Sequence, residues 1–157
     1  MEHTRAKYDQ LIQDLRGELR PQREWCEGRG MFMVIGHFVV GVAGGTWLFS
    51  LLYGNRTGLA LAFVLGGLGG LLHLANLGHP GRAWKMMLQF KRSWISRGFF
   101  GLSFFLAGAL LYLVPQFAPG VLWSSDSLIA GIGNLLAIVG MLTMIGYMGF
   151  VYTASKG

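Results

Sequence analysis

The sequence predicts an all-α membrane protein in which a bundle of four transmembrane helices follows an amphipathic cytoplasmic helix. Only 13% of the 157 residues are charged, and the mean hydropathy is +0.48, whereas soluble domains carry about 25% charged residues. Apart from Arg56 and Asp126, residues 31–81 and 98–155 contain no charged side chain. These two windows supply four apolar runs, each close to the roughly 20 residues that a spanning helix needs.

This pattern divides the chain into two segments. Residues 1–30 form a polar cytoplasmic segment in which apolar side chains recur at helical spacing from Tyr8 to Leu19. This pattern predicts an amphipathic helix that lies on the bilayer or docks a cytoplasmic partner. Residues 31–157 form the membrane domain, with spans at about 31–53, 58–77, 99–114 and 128–152.

Small residues inside the spans predict close helix packing. Glycines four residues apart, such as Gly41 with Gly45 and Gly66 with Gly70, allow helix backbones to approach each other in a membrane. Asp126, two residues before Leu128, is expected to cap the fourth span. The two connections that hold Arg56 and Asp126 carry no catalytic motif.

The distribution of Lys and Arg predicts the orientation of the chain. Cationic residues favour the cytoplasmic side of a span. Of the 13 Lys and Arg residues, six precede the first span, five lie between the second and third spans, and Lys156 follows the fourth. The two connections on the opposite side hold only Arg56. We therefore expect an inner (cytoplasmic) membrane protein with both termini inside. The same segregation argues against nucleic-acid binding despite the net charge of +6.

Polar side chains within apolar spans are the candidates for function, because each is costly in lipid unless it is satisfied. With alternating span direction, five of them fall at one depth near the cytoplasmic face: His37, His73, Asn76, Tyr147 and Tyr152. Their convergence in one pocket is a hypothesis, because the sequence does not specify helix rotation.

Three chemistries suit these residues. Imidazole, amide and phenol groups beside an apolar cavity fit a quinone headgroup, which needs hydrogen-bond donors and a proton carrier. His37 and His73 also lie at similar depths on adjacent helices, as bis-histidine ligation of haem b would require. In a non-redox membrane module, such as an assembly factor, each side chain would serve only local packing and anchoring.

The connection between the second and third spans carries two short motifs. They read Leu77-Gly78-His79-Pro80-Gly81-Arg82-Ala83-Trp84 and Ser93-Trp94-Ile95-Ser96-Arg97. With Gly36-His37 and Gly41–Gly45 of the first span, they resemble the NrfD/PsrC/DmsC-type membrane anchor subunits of polysulfide, nitrite and dimethyl-sulfoxide reductases. The resemblance covers about residues 28–157, which corresponds to the N-terminal half of a family with eight or more spans.

The resemblance implies a haem-free subunit that exchanges electrons between a membrane quinone (menaquinone or ubiquinone) and an iron–sulfur subunit. Iron–sulfur clusters and a molybdopterin-type cofactor would lie only in partner subunits. His37 and a fourth-span tyrosine, Tyr147 or Tyr152, would belong to the quinone site. The chain departs from the family at Asn76, where family members have Asp or His. Because an amide can donate a hydrogen bond to a quinone carbonyl but cannot take up or release the quinone's proton, proton transfer would fall to His37 or His73.

The expected partner surface is the cytoplasmic loop between the second and third spans. Many family members have this loop outside, but the charge distribution here predicts a cytoplasmic iron–sulfur partner. Cationic and aromatic side chains would bind that partner, and they also suit lipid headgroups: His79, Arg82, Trp84, Lys85, Arg92, Trp94 and Arg97. A second four-span bundle or a homodimer is a further expected partner.

Overall fold

The computed structural model describes residues 2–18, 28–77, 79–89, 91, 93–118 and 120–151, and these contain helices and no strand. The helices are α1 (Glu2–Glu18), α2 (Gly30–Leu52), α3 (Arg56–Asn76), a 3₁₀ helix (Pro80–Gln89), α4 (Trp94–Phe117) and α5 (Leu128–Val151). Helices α2 to α5 are long and apolar enough to cross a membrane. The predicted class is therefore confirmed: this is an all-α, multi-pass membrane protein.

The bundle consists of two helical hairpins. Helix α2 packs along α3, and α4 packs along α5, whereas the contacts between the two hairpins are much sparser. The hairpins meet at a central core in which Trp47, Phe105 and Met141 are almost completely buried. The Trp47 and Phe105 rings pack edge to face, with centroids 5.3 Å apart. The loose junction elsewhere leaves space at both ends of the bundle.

Glycines bring the backbones of α4 and α5 into contact. A Cβ atom at Gly108 would lie 2.5 Å from the Gly133 carbonyl oxygen and 2.5 Å from the Ala137 nitrogen. At Gly140 a Cβ would lie 2.5 Å from the Gly101 carbonyl oxygen. Because these neighbours are backbone atoms, they cannot rotate away. This is the close approach expected of small residues in membrane helices.

The glycine pairs singled out in the sequence behave unequally. A Cβ at Gly66 would meet the Phe105 ring at 2.4 Å, and one at Gly70 would meet Leu102 at 2.8 Å, so this pair admits large side chains from α4. In contrast, a Cβ at Gly45 would meet nothing within 4 Å. Spacing alone does not distinguish a glycine at an interface from one that faces away.

The third span is longer than the predicted range 99–114 at both ends. It begins at Trp94 after Ser93, whose hydroxyl accepts a hydrogen bond from the Ser96 nitrogen. It also continues through Pro115 to Phe117. Proline has no N–H to donate to the carbonyl four residues earlier, but the Trp123 indole donates to the Leu111 carbonyl at 3.0 Å. The side chain thus replaces the missing backbone donor.

The residue that caps the fourth span also differs from the prediction. The hydroxyl of Ser127, rather than the carboxylate of Asp126, accepts a hydrogen bond from the Ala130 nitrogen at 3.3 Å. Ser127 immediately precedes Leu128, the first helical residue, which is the usual position of a capping side chain. Asp126 is exposed and lines a cavity described below.

Helix α1 covers most of the predicted amphipathic segment. The apolar side chains of Tyr8, Leu11 and Ile12 are exposed. Among the described residues, α1 makes no packing contact with the four spans. Its apolar face is therefore not covered by this part of the chain, in keeping with a surface that meets lipid or a partner.

Candidate functional site

A cavity of about 330 Å³ lies between the two hairpins at the end of the bundle that carries the 3₁₀ helix. Small residues on both sides, including Gly70 and Gly98, leave room for it. Two of its lining side chains, Leu71 and Ile95, are more than half exposed, so it opens on the outer surface of the bundle. Its lining is mainly apolar, with four polar exceptions: His73, Asn76, Ser103 and Tyr147.

His37 and His73 form a contacting pair beside this cavity. Their ring centroids are 4.8 Å apart in an edge-to-face arrangement. His37 Nδ1 donates to the Met33 carbonyl at 2.9 Å, and His73 Nδ1 donates to the Gly69 carbonyl at 2.7 Å. Each imidazole is therefore held by its own helix, with Nε2 as the basic nitrogen. Nε2 of His73 is buried and has no hydrogen-bond partner within the described part of the chain.

Tyr147 joins the histidine pair to the cavity. Its ring stacks on His37 with centroids 5.5 Å apart, and it also lines the cavity. The ring lies against Gly98, where a Cβ would be only 2.6 Å from a ring carbon. Similarly, a Cβ at Gly36 would be 2.7 Å from His73 Nδ1. Gly36 of α2 and Gly98 of α4 thus make room for the two rings.

Four of the five predicted site residues therefore come together. His73, Asn76 and Tyr147 line one cavity, while His37 is buried behind it in contact with two of them. Tyr152 lies outside the described residues. The convergence combines residues from three helices, α2, α3 and α5, at the same end of the bundle.

Several other residues of this site were not singled out in the sequence. Met33 lines the cavity and accepts the hydrogen bond of His37, and Met144 lines it from α5. Ser103 also lines it, although its hydroxyl donates to the Phe99 carbonyl at 2.9 Å. Gly98 follows the second loop motif directly, but no local signal marks it as the neighbour of a tyrosine in α5.

The geometry of the histidine pair bears on what the site can hold. Bis-histidine ligation requires an iron and its porphyrin between two imidazoles. His37 and His73 instead touch each other, so a porphyrin cannot lie between them in this arrangement. No group of three or more His, Cys, Asp or Glu side chains in the described ranges is arranged to hold a metal ion.

The connection at this end of the bundle carries exposed cationic and aromatic side chains. In the 3₁₀ helix Ala83 is buried, while Trp84 and Lys85 are exposed, and Lys85 Nζ lies 5.7 Å from the Trp84 ring centroid. His79 and Arg82 are exposed as well. These four predicted partner-binding residues therefore lie on an open surface. We call His79, Arg82, Trp84 and Lys85 the loop surface.

Two other predicted partner-binding residues pack within the chain. The Arg97 guanidinium carbon lies 4.2 Å from the Trp94 ring centroid, and Trp94 stacks on Phe150 with centroids 4.7 Å apart. Arg97 also donates to the Lys91 carbonyl at 3.2 Å. This stack ties the start of α4 to the end of α5. Arg92, the remaining predicted residue, lies outside the described part of the chain.

These features define a multi-pass membrane protein whose four-helix bundle holds an apolar, side-opening cavity next to a histidine pair. Comparisons with known protein families, with curated proteins and with solved structures found no match to this chain.

Proposed function

We propose that this protein is the membrane anchor subunit of a redox complex and exchanges electrons between a membrane quinone and a cytoplasmic iron–sulfur subunit. The observation that carries the proposal is the side-opening apolar cavity lined by His73, Asn76 and Tyr147, with His37 directly behind. Its mouth, beside Leu71 and Ile95, faces the lipid from which a quinone would enter. The motif resemblance described above supports the same function.

The lining residues fit a quinone, either menaquinone or ubiquinone. When bound, quinone supplies two-electron chemistry coupled to proton uptake and release. The Asn76 amide can donate a hydrogen bond to a quinone carbonyl. The buried Nε2 of His73 can accept a proton, and leaving such an acceptor unsatisfied costs about 1–3 kcal/mol. The apolar remainder of the lining suits the ring and the start of an isoprenoid tail.

The two histidines can act together in proton transfer. With centroids 4.8 Å apart, two imidazolium rings in an apolar setting would repel each other strongly. The pair therefore suits holding one proton at a time rather than two. Because Asn76 cannot carry a proton, we assign proton transfer to His73 with His37 as its neighbour.

The loop surface is the proposed binding site for the iron–sulfur subunit. His79, Arg82, Trp84 and Lys85 directly follow the cavity-lining end of α3. Arg and Trp side chains are enriched in the centres of protein interfaces, while charge complementarity speeds association. The charge distribution favours the inner (cytoplasmic) membrane with both termini and this loop inside. A molybdopterin-type or other catalytic subunit would lie beyond the iron–sulfur subunit, and a second four-span bundle, from another chain or a homodimer, could flank the spans.

Photolabelling tests the quinone site directly. The protein in lipid nanodiscs would be irradiated with an azidoquinone, and the labelled peptides identified by mass spectrometry. We expect labels near the end of α3 and the start of α4, reduced several-fold by Asn76→Leu. Asn134→Leu is the matched control, because Asn134 is an amide in a span that does not line the cavity.

Purification from native membranes tests the complex. We expect an iron–sulfur subunit to copurify and quinone turnover of the complex to fall after His37→Ala or Asn76→Ala. Recovery without an iron–sulfur partner, together with unchanged turnover in both variants, would leave a non-redox membrane module as the better description. A haem Soret band in the purified protein would instead favour the haem-binding alternative.

A further inference from the structure

A second cavity, of about 280 Å³, lies at the end of the bundle opposite the loop surface. It is formed where α2 and α4 end and where α3 and α5 begin. In contrast to the first cavity, its lining is mainly polar: Ser50, Arg56, Tyr112, Gln116, Ser125 and Asp126. Its volume is well beyond the space that a single buried water needs.

The cavity brings together two opposite charges that are far apart in the sequence. Arg56 and Asp126 are the only charged residues in the connections 53–57 and 118–127. They line the same cavity, yet within the described part of the chain they form no ion pair with each other. A guanidinium and a carboxylate held apart around a polar space are complementary to a ligand that carries both an anion and a cation.

The position of the cavity indicates where such a ligand comes from. It lies at the ends of four membrane-crossing helices, which is the depth of lipid headgroups. Leu52 and Tyr53, at the end of α2 beside Gly54 of the cavity, are each more than three-quarters exposed. Acyl chains can therefore lie along this side of the bundle while a headgroup occupies the cavity.

We propose that this cavity binds the headgroup of a zwitterionic phospholipid with a primary amine, phosphoethanolamine. Arg56 would bind the phosphate, because a guanidinium donates two parallel hydrogen bonds to such an anion. Asp126 would accept hydrogen bonds from the ammonium group. The side chain of Gln116 donates to the Tyr112 carbonyl at 3.1 Å, which leaves its amide oxygen as a second acceptor for the ammonium.

The same chemistry predicts selectivity among lipids. A phosphocholine headgroup has the same two charges but no N–H, so Asp126 and Gln116 receive no hydrogen bond from it. A phosphoglycerol headgroup leaves Asp126 without a cation. We therefore expect phosphoethanolamine to bind about tenfold more tightly than either, which corresponds to one charge-assisted hydrogen bond.

Native mass spectrometry of the full-length protein with dioctanoyl lipids measures this preference. The wild-type protein should favour the ethanolamine lipid over the choline lipid by about tenfold. Asp126→Asn should bring the ratio close to one. Arg56→Gln loses the phosphate contact that both lipids share, so it should weaken the binding of both lipids and leave their ratio near tenfold. Arg29→Gln and Asp9→Asn remove the same charges from residues outside the cavity and should leave both affinities and their ratio unchanged.

The ratio of two lipids is measured within each variant, so a change in stability does not imitate the expected result. Equal binding of the two lipids by the wild-type protein would overturn the proposal, as would a preference that survives Asp126→Asn or undiminished binding of both lipids by Arg56→Gln. Soluble phosphoethanolamine without acyl chains is the second probe. If it competes as well as the lipid, the site belongs to a soluble zwitterion and not to a phospholipid. None of these outcomes depends on quinone binding at the other end of the bundle.

Discussion

The edge of the His73 imidazole meets the His37 ring, with 4.8 Å between the centroids, across the interface of α2 and α3. Gly36 permits this contact, since a Cβ there would lie 2.7 Å from His73 Nδ1. Each ring is held by a hydrogen bond to the carbonyl four residues earlier in its own helix. Three local features therefore orient a pair of titratable groups next to an apolar cavity.

Substitution of Gly98 by alanine should disturb the proposed quinone site through Tyr147. The new methyl group would lie 2.6 Å from the tyrosine ring, so the ring must move, and overpacking of this kind costs about 1–3 kcal/mol. We expect the affinity for a quinone analogue to fall about tenfold, measured by titration in nanodiscs. Gly149→Ala, where a Cβ meets nothing within 4 Å, should bind normally. Normal affinity in folded Gly98→Ala would argue against a role of Tyr147 in the site.

The glycines between α4 and α5 should be far less tolerant than those that face outward. Gly108→Ala places a methyl group 2.5 Å from backbone atoms of α5, so the helices must separate, and we expect a loss of at least about 1–3 kcal/mol in the free energy of unfolding. Gly131→Ala meets nothing within 4 Å and should be neutral or stabilising by up to about 1 kcal/mol. Thermal unfolding in detergent, followed by tryptophan fluorescence, compares the two. Equal stabilities would contradict the close packing of α4 on α5.

A double-mutant cycle tests whether Trp123 compensates for Pro115. Trp123→Phe removes the indole N–H that donates a hydrogen bond to the Leu111 carbonyl. This loss should lower the free energy of unfolding by about 1 kcal/mol. Pro115→Ala supplies a backbone N–H four residues after Leu111, so the cost of Trp123→Phe should shrink in that background. Additive effects in denaturant unfolding would show that the two features are independent.

Cysteine labelling tests the proposed orientation. Cys26 is the only cysteine, so single cysteines can be introduced into a Cys26→Ser background as Lys85→Cys in the 3₁₀ helix and Thr57→Cys at the opposite end. A membrane-impermeant maleimide applied to intact spheroplasts should label Thr57→Cys at once, and Lys85→Cys only after permeabilisation. The reverse pattern would place the loop surface outside and exclude a cytoplasmic partner there.

The sequence and the structure agree best on features that depend only on a residue's position along its helix. The four spans follow from the segregation of charge, because a buried charge in lipid is costly wherever it lies on the helix. The depth of His37, His73 and Asn76 follows in the same way from their distance to the span ends. In contrast, the ends of the third span were not predicted, because Ser93 starts it earlier and Pro115 does not stop it.

The polar cavity at the opposite end shows what local patterns miss. Arg56 and Asp126 were the single charges of two unremarkable connections, and Asp126 was expected to cap a helix. Ser127 is the cap, and Asp126 lines a cavity together with Arg56. A pattern read along the chain does not reveal that two turns in different hairpins lie side by side.

By itself, the sequence determined that this is a multi-pass membrane protein, which four segments are long and apolar enough to cross the bilayer, and where along those segments its polar groups lie. The cost of placing a side chain in lipid depends on its own polarity and charge. Each residue therefore contributes to the prediction of a span independently of its neighbours in space. Only the tertiary structure decided which helix faces meet, that Gly36 and Gly98 admit His73 and Tyr147, and that the hairpins part to leave two cavities. Helix rotation depends on packing between residues distant in the chain, and the same hydropathy profile is compatible with many such arrangements.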